Sequence, residues 1–580
     1  MNKRSVIALT IAAVLTLTAA AGCSNSGNNN GGNQGGNTNN VQDGNTVKET
    51  DKPAADPFSK YDSTVEMSVI YQHNAESEKK FIEGSTYEDN WFNDLYLEDL
   101  NIKPKVKWTA PAGDSYKQKY NLMIASNDLA DVFSIEGSGG KSARTILKEL
   151  VEAGQIEDLS KVYEEYASDS VKSIYNSFDN GKALENASVD GKLYALPAQG
   201  DTYSQAPVLW VRQDWLDKLS LPAPRTLEEL ITVARSFVNN DPDGNSKKDT
   251  MGLAFNKDIY AGAPTDGGAL FYYNNSYPKT WLNDSSGQVV WGGIQPETKS
   301  TLSILADMYK EGLLNDEFAQ QDGNKNSELI TSGKIGMTFA SWWSAYWPLG
   351  SSIDSDPKAD WRAYTFSPDG TIRAAFDNPT NILYVVRKGY EHPEALVKLL
   401  NVTERYKHDN SFPKYMDHEQ EVKTQNPDGK TEAPTILPAF SISSVSEQFD
   451  SSKKFQAIIE GKATEEDLTR GEKDIWKDIK LNQENPKKVL NAYKVYINWI
   501  YALGSLANAK MDVKFNAFQD TTPTYDDRMG ALNDKQLVAF TKIIMGKEPV
   551  DYFDTFVKEW KEQGGDQITK EINEVVQKNK

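Results

Sequence analysis

The 580-residue sequence has little cysteine and little histidine, and each shortage excludes a class of protein. A single cysteine, Cys23, leaves no partner for a disulfide within the chain. The folded part must therefore be held by packing, or by packing and a bound metal ion. The four histidines (His73, His392, His408 and His418) are far apart, and none is spaced to share a metal ion with another. A zinc-dependent hydrolase is therefore not expected.

Positive charge is also scarce, because the sequence has 63 Lys and Arg residues and 83 Asp and Glu residues, which gives a formal net charge of -20. Such a surface repels phosphate backbones, so nucleic acid is excluded as a partner. Long apolar runs are missing as well, apart from Val6 to Ala21, which follows Lys3 and Arg4. A short apolar run behind positive charges predicts an export signal at residues 1–22 rather than a membrane span.

Cys23 directly follows that apolar run. The junction Ala21-Gly22-Cys23 resembles the box at which bacterial lipoproteins are cleaved and acylated, with chains such as palmitate, on the new N-terminal cysteine. Ala20 departs from the pattern, since such boxes usually carry Leu there. We expect lipid on Cys23 to anchor the protein to the outer face of a bacterial cytoplasmic membrane. The alternative is an ordinary secreted protein that is cleaved nearby.

Residues 23–58 contain mainly Asn, Gly, Ser and Gln in their first part and almost no apolar residues. Such a composition cannot bury enough apolar surface to fold. We expect a disordered tether that lets the folded part stand away from the membrane and return to it.

Aromatic residues are abundant for so polar a chain, with 13 Trp and 27 Tyr. Their flat rings can stack on the faces of sugar rings while hydroxyl groups bond to polar neighbours. The alternative is that most of these rings simply pack in the core. The composition therefore favours a carbohydrate ligand without identifying the rings that touch it.

Apolar alternation and periodicity predict strands that alternate with helices in the first part of the folded sequence. This order is typical of a parallel sheet with crossover helices, in which ligands bind outside the carboxyl ends of the strands. Further strands and helices follow, and the C-terminal third reads as helical. The predicted strands are 65–71, 105–108, 131–135, 208–212, 335–339 and 382–386, and the predicted helices include 90–100, 116–125, 226–238, 297–311, 393–400, 552–561 and 567–577.

Six motifs occur in an order that resembles the family 1 extracellular solute-binding proteins, in particular their large LplA-like branch. The motifs are Asp131-Val132-Phe133, Gly154 to Leu159, the turn Gly191 to Pro197, Leu209 to Arg212, Gly333 to Thr338 before a tryptophan pair, and His392 to Ala395. The resemblance covers the chain from about residue 61 to its C-terminus. Members of this family are the lipoprotein receptors of carbohydrate ABC importers.

The resemblance implies an α/β, two-lobed fold like that of periplasmic binding proteins (type II), with a hinge of crossing strands and helical C-terminal additions. Lobe 1 is expected to comprise residues 59–199 and about 373–405, and lobe 2 residues 200–372. A helical part, residues 406–580, would be shared between the lobes. Sugar would lie between the lobes, and closure would present the loaded form to the permease subunits.

The tryptophan pair Trp342 and Trp343 follows a predicted strand, at the place where relatives put a stacking tryptophan in the cleft. Trp281, Tyr272 and Tyr273 lie in a stretch rich in Tyr and Asn and are further candidates for ligand binding. The alternative for each ring is packing within its lobe. Polar side chains at strand ends are candidates for hydrogen bonds to sugar hydroxyls: Gln72, Asn74, Ser134, Glu136, Asp201 and Asp377.

The segment Asp241 to Asp249 has oxygen-bearing residues at alternate positions, as EF-hand calcium loops do. Asp241, Asp243 and Asn245 would supply side-chain oxygens and Lys247 its backbone carbonyl. Asp249 would supply a fifth ligand or hold a bound water. Three carboxylates and hard oxygen ligands favour Ca²⁺ over other metals.

This loop departs from an EF-hand at two positions, since Gly252 stands where the bidentate Glu would be and Ser246 replaces the glycine of the sharp turn. Alginate-binding members of the family hold calcium in a similar loop, with an acidic residue directly after the last Asp. Thr250 takes that place here, which leaves the sixth ligand open. We expect a structural Ca²⁺ ion that stabilises a loop without disulfides. The alternative is a polar turn between a helix and a strand.

Together these features predict a monomeric receptor, without enzymatic activity, that delivers an oligosaccharide to an ABC importer. The size of the chain favours an oligomer over a monosaccharide, and the acidic balance favours a neutral glycan. Two alternatives remain, a surface-anchored glycoside hydrolase and a peptide-binding lipoprotein. The two carboxylates of a hydrolase could be among the 83 acidic residues, but no nucleophile motif or histidine-based constellation accompanies them.

Overall fold

The structure, a computed structural model, describes residues 55–73, 78, 85–138, 141–260, 264–408 and 440–578. Cys23, the predicted leader at residues 1–22, most of the predicted tether and Asn74 lie outside these ranges. In the described part of the chain, no helix is long and apolar enough to cross a membrane. The described residues belong to one unit of the chain, Ala54–Lys580.

Strands and helices alternate through the first two thirds of this unit, and helices prevail near the C-terminus. The strands are β1 (Val65–His73), β2 (Ile102–Pro111), β3 (Val132–Glu136), β4 (Ser188–Val189), β5 (Lys192–Leu193), β6 (Leu196–Pro197), β7 (Val208–Arg212), β8 (Trp281–Asn283), β9 (Val289–Trp291), β10 (Met337–Ala340), β11 (Trp361–Tyr364), β12 (Thr371–Phe376), β13 (Ile382–Val386) and β14 (Lys510–Phe515).

The helices differ widely in length, and α16 continues through a π-helical segment (Ile497–Ala502) into α17. They are α1 (Trp91–Leu100), α2 (Asp114–Ser126), α3 (Ala143–Glu152), α4 (Ser160–Tyr166), α5 (Asp169–Asn176), α6 (Lys182–Asn186), α7 (Gln213–Leu219), α8 (Leu227–Asn239), α9 (Gly268–Tyr273), α10 (Pro296–Lys310), α11 (Gly323–Thr331), α12 (Leu349–Ser355), α13 (Glu394–His408), α14 (Glu447–Ile459), α15 (Arg470–Glu484), α16 (Leu490–Tyr496), α17 (Leu503–Ala507), α18 (Pro523–Ile544), α19 (Tyr552–Trp560) and α20 (Asp566–Lys578).

The first lobe is built on two groups of strands. β1 and β2 pair in parallel, as predicted, whereas β13 pairs antiparallel with β3 and β6. Val65, Met67 and Val69 are buried at alternate positions of β1, because successive side chains of a strand point to opposite faces. Helices cover these strands and complete the first core, which draws on residues 67–196 and 383–445.

The second lobe is built on β7, which lies between β10 and β11 and pairs antiparallel with both. All residues of β7 are buried, since its two faces belong to different cores. Leu209 and Val211 contribute to the second core, and Val208 and Trp210 contribute to the third core. The second core draws on residues 209–366 and 518–572, and the third core on residues 206–374 and 449–506.

Paired strands connect the two lobes. β12 and β14 are parallel, with register from Thr371 opposite Lys510 to Phe376 opposite Phe515. Ile372 lies in the third core, and Phe515 packs against the first core, so both strands run from the second lobe toward the first. β14 was not predicted. The C-terminal part was predicted to be helical, and β14 is a strand within it. Its residues are exposed or half-buried, and Met511, Val513 and Phe515 alternate with charged residues, as in a strand with one face toward water.

The sequence signals at the start of α8 are confirmed. Thr226 Oγ1 accepts a hydrogen bond from the backbone N–H of Glu229 (3.3 Å), and Glu229 Oε2 accepts one from the backbone N–H of Thr226 (3.2 Å). This capping box satisfies N–H groups that have no partner within the helix. α8 thereby begins at the predicted position and leads directly into the segment from Asp241 to Asp249.

Candidate functional site

A cavity of about 650 Å³ lies between the two lobes, and we call it the junction cavity. The first lobe contributes Gly137 at the carboxyl end of β3, the start of α3, and the segment from Phe178 to Asn186. The second lobe contributes Asn283 at the end of β8 and Val575 of α20. The remaining lining comes from the segments that follow β12 and β14. Ligands of α/β sheets bind outside the carboxyl ends of strands, so this is the position expected for a ligand site.

Amide side chains are frequent in the lining of the junction cavity. Asn516 joins two segments, because its Nδ2 donates to Asp377 Oδ1 (3.2 Å) and its Oδ1 accepts from the backbone N–H of Trp281 (3.2 Å). Each amide offers both a donor and an acceptor, as the hydroxyl groups of a sugar require. The amides that line the cavity are Asn186, Asn283, Asn378, Asn381, Asn516 and Gln519.

Aromatic rings form an apolar part of the same cavity. Phe178 and Phe515 both line it and meet edge to face, with ring centroids 5.0 Å apart. The ring of Phe515 also lies 6.4 Å from those of Tyr203 and Phe376. Phe518 adds a further apolar wall and is buried in the second core. These rings can pack against the C–H faces of a sugar ring.

Two acidic side chains in the cavity wall, Asp179 and Asp520, each form an ion pair with a lysine. Lys182 Nζ lies 3.5 Å from Asp179 Oδ2, and Lys148 Nζ lies 2.5 Å from Asp520 Oδ2. Asp520 also accepts a hydrogen bond from Thr145 Oγ1 (2.7 Å). Burial raises the pKa of Asp520, but the bonds from Lys148 and Thr145 outweigh burial and hold it below its ordinary value. The carboxylate of Asp520 thereby joins α3 of the first lobe to the segment after β14.

The predicted tryptophan pair lies outside the lining of the junction cavity. Trp342 is only 8% exposed and meets Trp499 edge to face at 5.0 Å in the third core. Trp343 is half-buried against the same core. The structure therefore gives Trp342 a packing role, and stacking of either ring on sugar stays a prediction.

The other predicted aromatic residues pack closely in the second lobe. Trp281 is 1% exposed, and its ring lies 5.0 Å from that of Trp291, although its backbone reaches the cavity through Asn516. Tyr272 is largely enclosed, and burial together with the nearby Asp266 carboxylate raises its pKa. The hydroxyl of Tyr273 accepts a hydrogen bond from the first residue of α8. None of these side chains lines the junction cavity in the described part of the chain.

The predicted polar residues separate into two groups. Asp377 and Glu136 adjoin the junction cavity, since Asp377 accepts from Asn516 and Glu136 directly precedes Gly137. Burial raises the pKa of Glu136. Asp201 instead accepts hydrogen bonds from the backbone N–H groups of Gln448 (2.6 Å) and Ser204 (3.0 Å), and burial raises its pKa to about 6.

Of the remaining strand-end residues, Gln72 is exposed near the end of β1, and Ser134 is half-buried in β3. Neither is among the side chains that line the junction cavity. Asn74 lies outside the described residues. A role for these three side chains in sugar binding therefore stays a prediction.

The segment from Asp241 to Asp249 folds into a turn stabilised by its own side chains. Asp241 accepts from the backbone N–H groups of Asn245 (3.1 Å) and Ser246 (3.0 Å). Nδ2 of Asn245 donates to Asp243 Oδ2 (2.7 Å) and to Asp249 Oδ1 (3.0 Å), so these oxygens converge on one point. Burial and the adjacent Asp241 raise the pKa of Asp243.

Some of the oxygen atoms in this turn are suited to bind a hard cation. Among the described residues, no three His, Cys, Asp or Glu side chains are placed to hold a metal ion. In this turn the amide nitrogen of Asn245 lies between the carboxylates of Asp243 and Asp249. A half-turn of that amide would place its oxygen there instead, beside the oxygens of Asp243 and Asp249. Oxygen ligands of this kind suit Ca²⁺. The backbone carbonyl of Lys247 stays a predicted ligand.

Most residues that line the junction cavity were missed by sequence reasoning. Of the predicted residues, Asp377 and Glu136 adjoin the cavity without lining it. One available signal was the run from Asn378 to Asn381, which follows a predicted crossing between lobes and carries two amides. Asn516 and Gln519 were missed because β14, which directly precedes them, was not predicted, although its residues alternate between charged and apolar.

A family model described as "Bacterial extracellular solute-binding protein" matches residues 79–404. The chain is 24% identical over 357 residues to the Polygalacturonan/rhamnogalacturonan-binding protein YtcQ of Bacillus subtilis (strain 168), covering 60% of this chain and 65% of YtcQ. It is 29% identical over 235 residues to Lipoprotein LipO of the same organism, covering 40% of this chain and 43% of LipO. The matched segments thus span less than two thirds of both curated relatives.

Among solved structures, the chain is similar to the ABC-transporter substrate binding protein FusA of Streptococcus pneumoniae in complex with kestose. The TM-score is 0.53 at 16% identity, over 89% of this chain and 100% of FusA. A FusA "EF-hand mutant" in complex with fructo-nystose gives a TM-score of 0.52 at the same identity. This likeness confirms the predicted two-lobed α/β fold.

Proposed function

The chain belongs to the bacterial extracellular solute-binding proteins, and we propose that it captures an oligosaccharide between its two lobes for delivery to an ABC importer. The junction cavity is the observation that carries this proposal. Residues of both lobes line it, at the carboxyl edge of a first-lobe strand. Its volume of about 650 Å³ falls within the usual range for ligand pockets, about 300 to 1,000 Å³.

Two relatives support a saccharide as the ligand. YtcQ is named for binding polygalacturonan and rhamnogalacturonan, and FusA is solved with kestose and with fructo-nystose. FusA is also named as part of an ABC transporter, which supports delivery to permease subunits of such an importer. The lining chemistry agrees with a saccharide, because amides suit hydroxyl groups and phenyl rings suit C–H faces.

Asp377 and Glu136 are the sequence-predicted residues that we assign to sugar binding. Asp377 is exposed and holds Asn516 of the cavity lining. Glu136 precedes Gly137 at the carboxyl end of β3. Trp343 is half-buried after β10, and we retain it as a ring that sugar reaches when the lobes close. Trp342, Trp281, Tyr272 and Tyr273 support these surfaces by packing.

The lobes move about the strands that connect them. We place the lobe boundaries near residue 200 and residue 373, with residues 59–199 and about 373–405 in one lobe and residues 200–372 in the other. The first core ends near Leu196 and resumes at Leu383, which supports both boundaries. A ligand that contacts both lobes binds the closed form more tightly than the open form and so shifts the population toward closure. Closure is then the signal that the importer reads.

This function needs binding without turnover. A glycoside hydrolase would place an acid and a second carboxylate on either side of the scissile bond. In the junction cavity, Asp179 and Asp520 are each paired with a lysine, and the lowered pKa of Asp520 makes that side chain a poor proton donor. We therefore assign the cavity to recognition alone, in a protein that acts as a monomer.

A lipid on Cys23 would hold the protein at the outer face of the cytoplasmic membrane. The small-small-Cys junction after the apolar leader supports this anchor, and the relative LipO is named as a lipoprotein. Labelling cells with an alkyne fatty acid tests it: the label should appear on the wild-type protein and disappear from C23A. A wild-type protein recovered unlabelled from the culture medium would contradict the anchor.

The turn from Asp241 to Asp249 would hold a structural Ca²⁺ ion. Oxygens of Asp243 and Asp249 converge on the amide of Asn245, and Asp241 lies beside Asp243. The FusA structure described as an EF-hand mutant supports such a loop in this fold. The ion would replace internal hydrogen bonds of the turn by metal–oxygen contacts.

Calorimetric titration of the full chain with a panel of oligosaccharides tests the proposed function, with chromatography of each sample afterwards. We expect saturable binding of one class of glycan and no shorter products. Asn381→Ala removes an exposed amide of the cavity lining and should weaken binding about three-fold or more, the worth of one neutral hydrogen bond. Asn324→Ala, an exposed amide on α11 outside the cavity, should leave affinity unchanged. Release of cleaved sugar would favour the hydrolase instead.

A further inference from the structure

Arg144 is a cation in the junction cavity that pairs with no carboxylate within ion-pair distance in the described part of the chain. It lies in the first turn of α3, and its Nη1 donates to the backbone carbonyl oxygen of Asn186, the last residue of α6. That contact fixes the side chain on one side. A guanidinium has five N–H donors in a planar fork, so most of its donors remain for a ligand.

The other cavity charges are arranged differently. Lys182 is exposed and lies 3.5 Å from Asp179, and Asp520 is engaged by Lys148 at 2.5 Å. Glu185 is exposed at the rim, where water solvates it. Among the charged groups that line the cavity, Arg144 combines substantial burial with the lack of a direct counter-ion. The half-buried charge of the lining that lacks a direct counter-ion is therefore positive, while the carboxylates of Glu185 and of Asp377 beside the cavity are exposed.

The position of Arg144 costs the protein free energy when no ligand is bound. Burial lowers the pKa of Arg144 and Asp520 opposes that shift from a distance, yet a guanidinium stays charged at any physiological pH. A half-buried charge without a direct counter-ion loses part of its solvation, and the carbonyl of Asn186 and the more distant Asp520 replace only part of that loss. A ligand that brings a carboxylate to this point would restore the balance. A fork-shaped donor matches a carboxylate through two parallel hydrogen bonds.

We propose that the junction cavity selects an acidic glycan, and that Arg144 binds the carboxylate of a uronic acid residue in it. This inference rests on the proposed function and narrows its ligand class. Neighbouring amides such as Asn186 and Asn381 would hold the hydroxyl groups of the same sugar. The expectation of a neutral glycan, drawn from the net charge of -20, concerns the whole surface, whereas recognition depends on the charge inside the cavity.

Paired oligosaccharides test the proposal by calorimetric titration of the full chain. Each pair consists of a uronate-containing oligosaccharide and a neutral one of the same ring number and linkage: trigalacturonate with galactotriose, trimannuronate with mannotriose, and xylotriose with and without a glucuronic acid branch. The acidic member of the best-binding pair should bind about ten-fold or more tightly than its neutral partner, the usual worth of a charged hydrogen-bond pair. Neutral members that bind as tightly as acidic ones would overturn the inference and leave the proposed function standing. A panel in which nothing binds would overturn both.

Variants of Arg144 assign the discrimination to its side chain. Arg144→Gln should weaken binding of the acidic oligosaccharide about ten-fold or more and change binding of the neutral one by less than about two-fold. Arg144→Lys keeps the charge but not the fork and should fall between wild type and Arg144→Gln. Arg235→Gln is the matched control, since that guanidinium lies outside the junction cavity and is paired with Glu311 (2.7 Å), and it should retain the preference for acid. If Arg144→Gln lost equal affinity for the acidic and the neutral oligosaccharide, the role of Arg144 would be contradicted. The comparison of the two oligosaccharides on the wild-type protein decides the ligand class even if that variant fails to fold.

Discussion

At the scale of single residues, Asp201 shows how a polar side chain at a crossing between lobes can serve the fold. Its two carboxylate oxygens accept hydrogen bonds from Gln448 in the first turn of α14 and from Ser204. Its position alone suggested sugar binding, because sequence spacing cannot show that the start of α14 lies beside it. These hydrogen bonds join the segment after β6 to the N-terminus of α14, and they offset only part of the cost of burying the carboxyl group in its charged form.

Asp201 should make stability depend on pH. Burial raises its pKa from an ordinary 3.8 to about 6 in the folded protein, so folding favours the protonated form. Its contribution to stability is therefore fully present below about pH 3.8 and is lost as the pH rises through about 6. We expect the free energy of unfolding of wild type, relative to Asp201→Ala, to fall across this range. Urea unfolding of both proteins between pH 4 and pH 7 measures it, and a constant difference would contradict the assignment.

The turn from Asp241 to Asp249 gives a second prediction at this scale. If Ca²⁺ binds the folded turn and not the unfolded chain, excess Ca²⁺ should raise the thermal midpoint and EDTA should lower it. Asp249→Asn should abolish this response. Asp284→Asn is a suitable control, because Asp284 also closes a polar turn through Ser286 and Gln288 but lies between β8 and β9. A midpoint that EDTA does not move, or a response that survives in Asp249→Asn, would rule out the site.

At the scale of elements, three strands of the first lobe are joined through one carboxylate. Asp131 Oδ2 accepts from the backbone N–H (2.8 Å) and the hydroxyl (2.6 Å) of Ser68 on β1. Its Oδ1 accepts from Nη2 of Arg387 (2.6 Å), directly after β13. Burial raises the pKa of Asp131, but these bonds outweigh burial and hold it below its ordinary value.

Asp131→Asn should therefore destabilise the first lobe by about 1 to 3 kcal/mol, the usual worth of charged hydrogen bonds. Because the pKa is lowered in the folded state, the stabilisation is present above about 3.8 and is lost as the pH falls below it. Asp128→Asn is a nearby control. Asp128 forms an ion pair with Lys107, but its side chain is 75% exposed, so this substitution should lower the free energy of unfolding by less than about 1 kcal/mol. Urea unfolding at pH 7 and pH 3 measures both variants, and equal effects would contradict this role of Asp131.

Helices and strands were predicted well where the apolar pattern agreed with the sequence signals at their ends. The strand at 382–386 and the start of α8 match the structure, because an apolar run and a capping box define them. The strand predicted at 335–339 begins instead at Met337. At Gly336, a Cβ would lie within 2.6 Å of the ring of Trp215, so this glycine serves a close approach. α13 extends to His408 rather than to residue 400, because polar residues such as Glu404 are buried and paired there.

Pairing between distant strands could not be predicted in the same way. The antiparallel contact of β3 with β13 and the parallel contact of β12 with β14 each join segments far apart in the sequence. β14 itself carried a signal that was missed, because Lys510, Asp512 and Lys514 alternate with apolar residues as in a half-buried strand. Its pairing with β12 has no such local signal.

At the scale of the whole molecule, the two-lobed fold could be predicted from motif order, whereas the site could not be predicted from residue type. At least one of Trp342 and Trp343 was expected to stack on sugar; Trp342 packs against Trp499 in the third core, and the pair lies outside the lining of the junction cavity. The junction cavity is instead lined by residues such as Arg144 and Asn516, which lie about 370 positions apart in the sequence. A site assembled from both lobes depends on how the lobes are joined, and no local pattern carries that information.

The central claim is that one oligosaccharide contacts both lobes at the junction cavity. Hydrogen exchange of the full chain, measured with and without the best-binding oligosaccharide, tests this claim most directly. We predict slower exchange in three regions together: α3 and α6 of the first lobe, the β8 region of the second lobe, and the segment after β14 from Asn516 to Asp520. Protection confined to one lobe, or protection elsewhere with these three regions unchanged, would contradict the account.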